Sequence, residues 1–415
     1  MKKLVSLLLA VVMVLSLATL AAADDAATLE LWCIWSNDSE SNKAPFLQTL
    51  EEFKAAYPDI TVNVTLYDAS EYDSIIKTAV AADEAPDVFY YNAGGVMKAF
   101  VDGGKLAVFN DAIADGTADR IIEGTLANMT FDGNIYGLPY TNACSIMFYN
   151  PALFEQYGID LPAADWTWTK FVDTCQQFID NGVTPLALGA KDTWCICMYM
   201  DILMLRQCGY QEMADAFYKN EGGSFLTDNM KKAADKFVEL VAMGAFPEGT
   251  AGISRDESEV PFYNGEIPMY VNGNWTAANC PEGFSCVPFP AIEDGAGVAT
   301  DFMGGAAEEF TVSSQTESMD AAMTLCKFLA ENHSYNAYVV GAGMPTWKFD
   351  AEPTGINPLI AEIVGYTNDA TSFLLWGNTI LEGDDSTFYG DALQELVMGS
   401  ITAEEFLNEM ESLLQ

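Results

Sequence analysis

Cations are scarce in this sequence. Its 415 residues hold 18 Lys and Arg against 60 Asp and Glu, a formal net charge of −42. Only three arginines occur, Arg120, Arg206 and Arg255. A surface this acidic repels nucleic acid and anionic lipid, whose capture depends on Lys and Arg neutralising phosphates. It also disfavours an anionic solute, which needs basic groups in its site. Histidine is scarcer still: His333 stands alone, inside "ENHSYNAY". A zinc centre therefore lacks imidazole ligands, and His333, read as a helix-junction residue, is given no catalytic role. The G-x-S-x-G, P-loop, H-E-x-x-H and G-x-G-x-x-G elements are absent too. "DAIADGTAD" lacks the D-x-D-x-D-G spacing of a calcium loop. No metal or cofactor is expected.

Long apolar runs and flexible linkers are the other absences. Beyond the run Leu4–Leu20, no stretch is long and apolar enough to cross a membrane. That run follows Lys2 and Lys3 and precedes Ala21-Ala22-Ala23, the pattern of a secretory signal peptide. Residues 1–23 are read as that signal, cleaved after Ala23, and the remainder as an exported chain. A lipid anchor is not expected, because the first cysteine, Cys33, follows Trp32 and not a small residue. Nine cysteines are an odd count for an exported protein. Cys280 and Cys286, flanking "PEGFS", admit a small-loop disulfide; Cys195-x-Cys197 has the alternation of a strand. The other cysteines read as small buried hydrophobes. No Pro/Gly/Ser linker separates two halves, so the chain is expected to cross between lobes several times.

What is present is a regular alternation of elements. "TLELWCIW" reads as a strand. "APFLQTLEEFKAAYPDI" puts Phe46, Leu47, Leu50, Phe53 and Tyr57 on one helical stripe that Pro58 stops. "ITVNVTL" alternates like a strand, "EYDSIIKTAVAA" returns to helical spacing, and "PDVFYYN" is again a strand. This order implies parallel strands with helices on the faces. "SIMFYN" and "EIPMYV" follow as strands, and helices are expected at 167–180, 198–219, 229–243 and 320–332 and near the C-terminus.

Six segments then carry a resemblance. They are "LELWCIWSND", "FKAAYPDITVNV", "APDVFYYNAG", "DGNIYGLPYTNACSIMFYNPALFEQYGI", "FYNGEIPMYVNGNW", and "FTVSSQTESMDAAMTLCKFLAEN" with "GAGMPTW". In that order the chain resembles the extracellular solute-binding proteins of sugar importers driven by ATP-binding cassettes, family 1, the maltose-binding-protein-like group. Two positions depart from the pattern: Pro268 stands where the family has Ala before Met, and Pro151 where it has Lys after "YN". The resemblance implies an α/β, two-lobe periplasmic-binding-protein fold of type II. Each lobe is then a sheet with helices on both faces, and a three-segment hinge joins them. The first lobe is placed at 24–141 and 305–345, the second at 142–304 and 346–415, with hinges near 140–144, 302–306 and 343–347. The implied partners are a carbohydrate ligand and the transmembrane subunits of a permease, and the implied state is a monomer.

In open parallel sheets, ligands sit outside the carboxyl ends of the strands. A sugar offers weakly apolar C–H faces, which pack on aromatic rings, and hydroxyl edges, which need paired donors and acceptors. Trp35 follows "LELWCI" and precedes Ser36-Asn37; Trp275 follows Asn272-Gly273-Asn274; Tyr91-Asn92 ends another strand. Trp194, Trp347 and Trp376 also follow apolar runs or fall in a proposed hinge. The candidate ligand-binding residues are therefore Trp35, Ser36, Asn37, Asn92, Tyr140, Asn142, Trp194, Asn274, Trp275, Asp301, Trp347 and Trp376. Trp166 and Trp168, at a helix start, read as packing residues. Two rivals stay open. The same fold could hold a polyamine, iron, a peptide or a polyol phosphate. A secreted glycoside hydrolase would need two carboxylates facing one bond, and no motif singles out such a pair.

Overall fold

The computed structural model describes residues 27–351 and 353–415. The expected signal peptide lies outside the described residues. Among the described residues eleven strands are formed: β1 Ala27–Cys33, β2 Ile60–Leu66, β3 Val88–Asn92, β4 Thr130–Phe131, β5 Asn134–Ile135, β6 Leu138–Tyr149, β7 Leu186–Ala187, β8 Met269–Gly273, β9 Ser285–Val287, β10 Asp301–Val312 and β11 Ser372–Leu374. The main sheet runs β2-β1-β3-β10-β6-β8-β7, with β11 added to β10 and β9 to β6. β1 pairs in parallel with both β2 and β3, as the alternating order requires. The return strand β10 is antiparallel to β3 and β6.

Two strands of 12 residues, β6 and β10, cross from one lobe to the other. Their outer ends pair within the first lobe, Phe310 opposite both Leu138 and Tyr90. Their inner ends pair within the second, β6 with β8 and β10 with β11. The first-lobe core gathers Leu29, Phe46, Phe53, Val88, Phe310 and Leu329. The second-lobe sheet is covered on both faces. Along β6, Met147 and Tyr149 face the core of Phe171, Ile202 and Phe237, while Ile146 and Phe148 face that of Tyr270, Phe302 and Ile360. A strand buried on both sides has no polar face to show, which is why Ile146, Met147 and Phe148 follow one another without a polar residue. Where β10 meets β6 the register shifts between Gly305 and Glu308. Gly304 there has φ +132 and lies on the Ala143 carbonyl, leaving no room for a Cβ; only glycine fits such a bulge.

Several expectations need correction. The helix expected from 198 begins at Trp194 and runs to Cys208, so Cys195 and Cys197 are helical and not on a strand. That helix is buried on every side, so it carries no amphipathic period for a sequence reading to detect. Leu47 is 43 % exposed while Phe46, Leu50 and Phe53 carry the stripe. Cys280 and Cys286 are free thiols, as are the other seven cysteines; both pack at the same second-lobe core without bonding to each other. The last lobe boundary moves as well. Met344 reaches the second-lobe core, but Trp347 and Phe349 return to the first, where Ile122 donates to the Thr346 carbonyl at 2.8 Å and Lys348 to that of Arg120 at 2.7 Å. Residues 346–349 thus belong with the first lobe, and the chain passes over before the Pro358–Thr367 helix, which packs on the second.

One buried carboxyl stands out. Glu309 is fully buried on β10 against the backbone of Gly137, and neither carboxyl oxygen has a hydrogen-bond partner among the described residues. Burial alone pushes its pKa well up. The folded state therefore holds a proton that the unfolded chain releases near pH 4.3, so stability falls as pH rises through that window. Glu309→Gln is expected to flatten the slope and to be more stable than wild type at pH 8. Urea midpoints measured from pH 4 to pH 8 check this; parallel curves for the two proteins would refute it.

Candidate ligand-binding cleft

A cavity of about 450 Å³ lies between the lobes. Its walls come from segments that follow strand ends: Trp35 after β1, Asn92 at the end of β3, Trp194 beyond β7, Trp275 after β8 and Trp376 after β11. That is where a sheet with ordered crossovers leaves backbone groups and loops free to meet a ligand. A shallower depression of about 560 Å³ on the outer second lobe, around Cys208, Glu212 and Gly223, is bounded by one lobe and lined by no indole.

The second-lobe wall is aromatic. Trp194 and Trp376 flank Trp275, each ring centroid 6.1 Å from it and tilted by 61°. Gly273 explains how Trp275 comes to stand after a turn. The six-membered part of its indole lies against the Gly273 Cα, where any Cβ would collide. The glycine seats the ring on the strand end and does not merely permit a turn. Trp376 is fixed from behind, its Nε1 donating to Ser145 Oγ at 2.8 Å.

On the facing lobe, Trp35 is 3 % exposed. It packs against Phe46 and His333 at 5.1 Å and Tyr90 and Tyr140 at 5.7 Å, and gives the cleft only an edge. Its backbone has φ +74, an uncommon state for a bulky residue that the surrounding packing enforces. His333 sits behind it, fully buried, its pKa pushed down to about 3 by burial.

The floor is polar. Glu308 lines the cleft and accepts from Tyr90 Oη at 3.0 Å and Tyr140 Oη at 2.7 Å. Burial pushes its carboxyl up while the Tyr140 and Tyr90 hydroxyls pull it down. Asp73, bonded by the Tyr91 hydroxyl at 3.3 Å and paired with Lys77 at 2.7 Å, lies at the rim. Arg255 and Glu40 line it from opposite lobes and meet as an ion pair at 2.9 Å. Flat apolar plates beside carboxylate and amide acceptors suit a neutral ligand with apolar faces and hydroxyl edges. Among the described residues no cluster of three His, Cys, Asp or Glu could hold a metal.

Of the twelve candidates, the structure brings Trp35, Asn92, Trp194, Trp275 and Trp376 to the cavity. The others do different work. Trp347 is 1 % exposed and donates to the Pro139 carbonyl at 2.7 Å inside the first-lobe core. Tyr140 is buried behind Glu308. Asn274 ties the crossing strand, accepting from Cys144 N at 3.2 Å and donating to the Asn142 carbonyl at 3.2 Å. Asn142 donates from its own amide to Met344. Asp301 accepts from Ser372 Oγ at 2.6 Å, on the strand pair β10–β11. The Ser36 carbonyl holds Lys43 Nζ at 2.7 Å, and Asn37 spans the lobes to Asp256 at 2.9 Å. The sequence reading missed Glu40, Asp73, Tyr90, Glu308 and Arg255. Two of them left a trace: Glu308 is an acid inside an otherwise buried strand, and Arg255 is one of only three arginines.

Comparison with known proteins agrees with this fold. The sequence profile of the bacterial extracellular solute-binding protein family matches residues 37–334. An uncharacterized ABC transporter extracellular-binding protein of Pyrococcus horikoshii is 23 % identical over 253 residues, 60 % of this chain and 55 % of that protein. The match thus spans little more than half of that relative's length. A multiple sugar-binding protein of Streptococcus mutans is 21 % identical over 335 residues, 78 % of this chain and 75 % of its own. A solved structure from work on xylan utilization by the thermophilic bacterium Caldanaerobius polysaccharolyticus superposes with a TM-score of 0.89 at 31 % identity, covering 94 % of this chain and all of that one. With a two-lobe α/β architecture, a cleft at the strand ends and a profile match over most of its length, the chain belongs to the bacterial extracellular solute-binding protein family.

Proposed function

We propose that this protein captures a neutral sugar or oligosaccharide between its lobes and hands it intact to the permease of an ABC importer. The carrying observation is the wall of three indoles, Trp275 tilted against both Trp194 and Trp376, set against a floor carboxylate, Glu308. Indole faces take the C–H faces of a sugar ring, and Glu308, Asp73 and Asn92 take its hydroxyls. The name of the Streptococcus mutans relative and the xylan context of the superposing structure support the carbohydrate class. Binding draws the lobes together about the crossing strands, and the permease reads the closed form.

The chain acts by binding alone. A glycoside hydrolase needs an acid and a second carboxylate about 5–9.5 Å apart across a bond; Glu308 is engaged by two tyrosines and Asp73 by a lysine. The chain is exported, on the signal-peptide pattern of residues 1–23, and works as a monomer. Titration calorimetry against mono- and oligosaccharides, with polyamines, ferric iron and peptides as comparators, tests the reading. Micromolar or tighter binding of a sugar, returned unaltered on release, is expected. Binding of a comparator with none of any sugar would overturn it.

A further inference from the structure

We propose that the interlobe pair Arg255–Glu40 walls off one end of the cleft and limits the length of sugar the protein accepts, an inference that rests on the carbohydrate reading above. The second-lobe sheet sets the scale. Its order is β7-β8-β6-β10-β11, so its two edge strands are four intervals of about 4.8 Å apart, roughly 19 Å. The lobes touch at both edges.

At the β7 edge, Gly189 lies tight under the Ser254 carbonyl, with no space for a Cβ. This seats the N-terminus of the Arg255–Tyr263 helix, whose start is fixed by a Ser254/Glu257 capping box. The Arg255 amide donates to Asp192 Oδ2 at 2.6 Å. From that anchored base the guanidinium crosses to Glu40 in a two-point contact, Nη2 to Oε1 at 2.9 Å and Nη1 to Oε2 at 3.2 Å. Both side chains are largely enclosed, 14 % and 12 % exposed. Asn37 to Asp256 and Asn279 to the Ser39 carbonyl, at 2.9 Å and 2.8 Å, close the gap beside them.

At the β11 edge the wall is backbone. Gly95 presses on the Ile380 carbonyl so closely that a Cβ cannot be placed, and Gly94 lies beside the Thr379 carbonyl. What opens to solvent is the long side, between Asp73 on one lobe and Thr387 and Asp391 on the other, all three exposed. The cavity's 450 Å³ falls in the lower half of the 300–1,000 Å³ range of small-molecule sites. A ligand must therefore fit between two plugs. One is rigid main chain; the other is a pair of side chains, and that one sets the limit.

The test is a calorimetric titration with ladders of one to six units of xylo- and malto-oligosaccharides. Affinity is expected to rise with length, peak at a short oligomer and fall at least tenfold for the longest member. Arg255→Ala, which removes the wall, is expected to raise the long-to-short affinity ratio at least tenfold. Glu40→Ala tests the same wall from the other lobe and serves if the first variant fails to fold. A wild type that binds long and short members equally, or folded variants that leave the ratio unchanged, would overturn the wall while leaving sugar capture intact. Absence of binding to every member would sink both readings.

Discussion

Trp275→Ala is expected to weaken sugar binding about thirtyfold while both lobes stay folded. The residue is the centre of the aromatic wall, touched by Trp194 on one side and Trp376 on the other. Binding energy concentrates in enclosed central aromatics, and truncating such a Trp removes about 2 kcal/mol or more, a factor of about thirty at 1.4 kcal/mol per decade. Removal also frees the neighbouring indoles to tilt into the gap over Gly273. The fold survives because Trp275 packs at the margin of the second-lobe core and is not one of its buried members. Calorimetry reads the affinity, and thermal melting reads the fold. An unchanged affinity in a folded variant removes Trp275 from the site.

Arg206→Met is expected to strip at least about 2 kcal/mol from the stability of the second lobe. Arg206 is fully buried and faces no carboxylate head-on. Its guanidinium instead holds a loop by its carbonyls: Nε to Phe289 at 3.3 Å, Nη1 to Val298 at 3.0 Å and Asp301 at 2.6 Å, Nη2 to Ala299 at 3.3 Å. Gly295 and Gly297 lie against the backbone of Leu205 and Arg206, so the loop wraps the side chain. Burial pulls the pKa down to about 10, against the nearby Asp301 charge, and the group stays cationic at neutral pH. Methionine fills similar space and takes the guanidinium donor from two buried carbonyls, those of Phe289 and Asp301, each costing about 1–3 kcal/mol if left unpaired. Total stabilities run about 5–15 kcal/mol, so the loss is a large fraction. Urea unfolding followed by tryptophan fluorescence measures it; a shift under about 0.5 kcal/mol would show the loop holds without its arginine.

These two residues also show how far a linear reading reaches. Trp275 was visible because an apolar strand, a polar turn and a large aromatic stand together in "MYVNGNW". The first two strands and helices were visible for the same reason: period 2 and period 3.6 are local properties, written into seven to fourteen neighbouring residues. The ordered motifs from "LELWCIWSND" to "GAGMPTW" then implied a two-lobe architecture, and the alternating elements implied its parallel first sheet.

The site itself was decided elsewhere. Trp35 and Trp347 look alike in sequence, yet one edges the cleft and the other donates to Pro139 from inside a core. Asn274 and Asp301 have the turn character of ligand contacts but spend their polar atoms on strands β6 and β11. Arg255 and Glu40 stand 215 residues apart and become neighbours only when a second-lobe helix, seated on Gly189, faces the loop after β1. Local periodicity fixes which residues make a strand or a helix. Which side chains are left free at the strand ends depends on what packs behind them, and that partner comes from a distant part of the chain brought close by the fold.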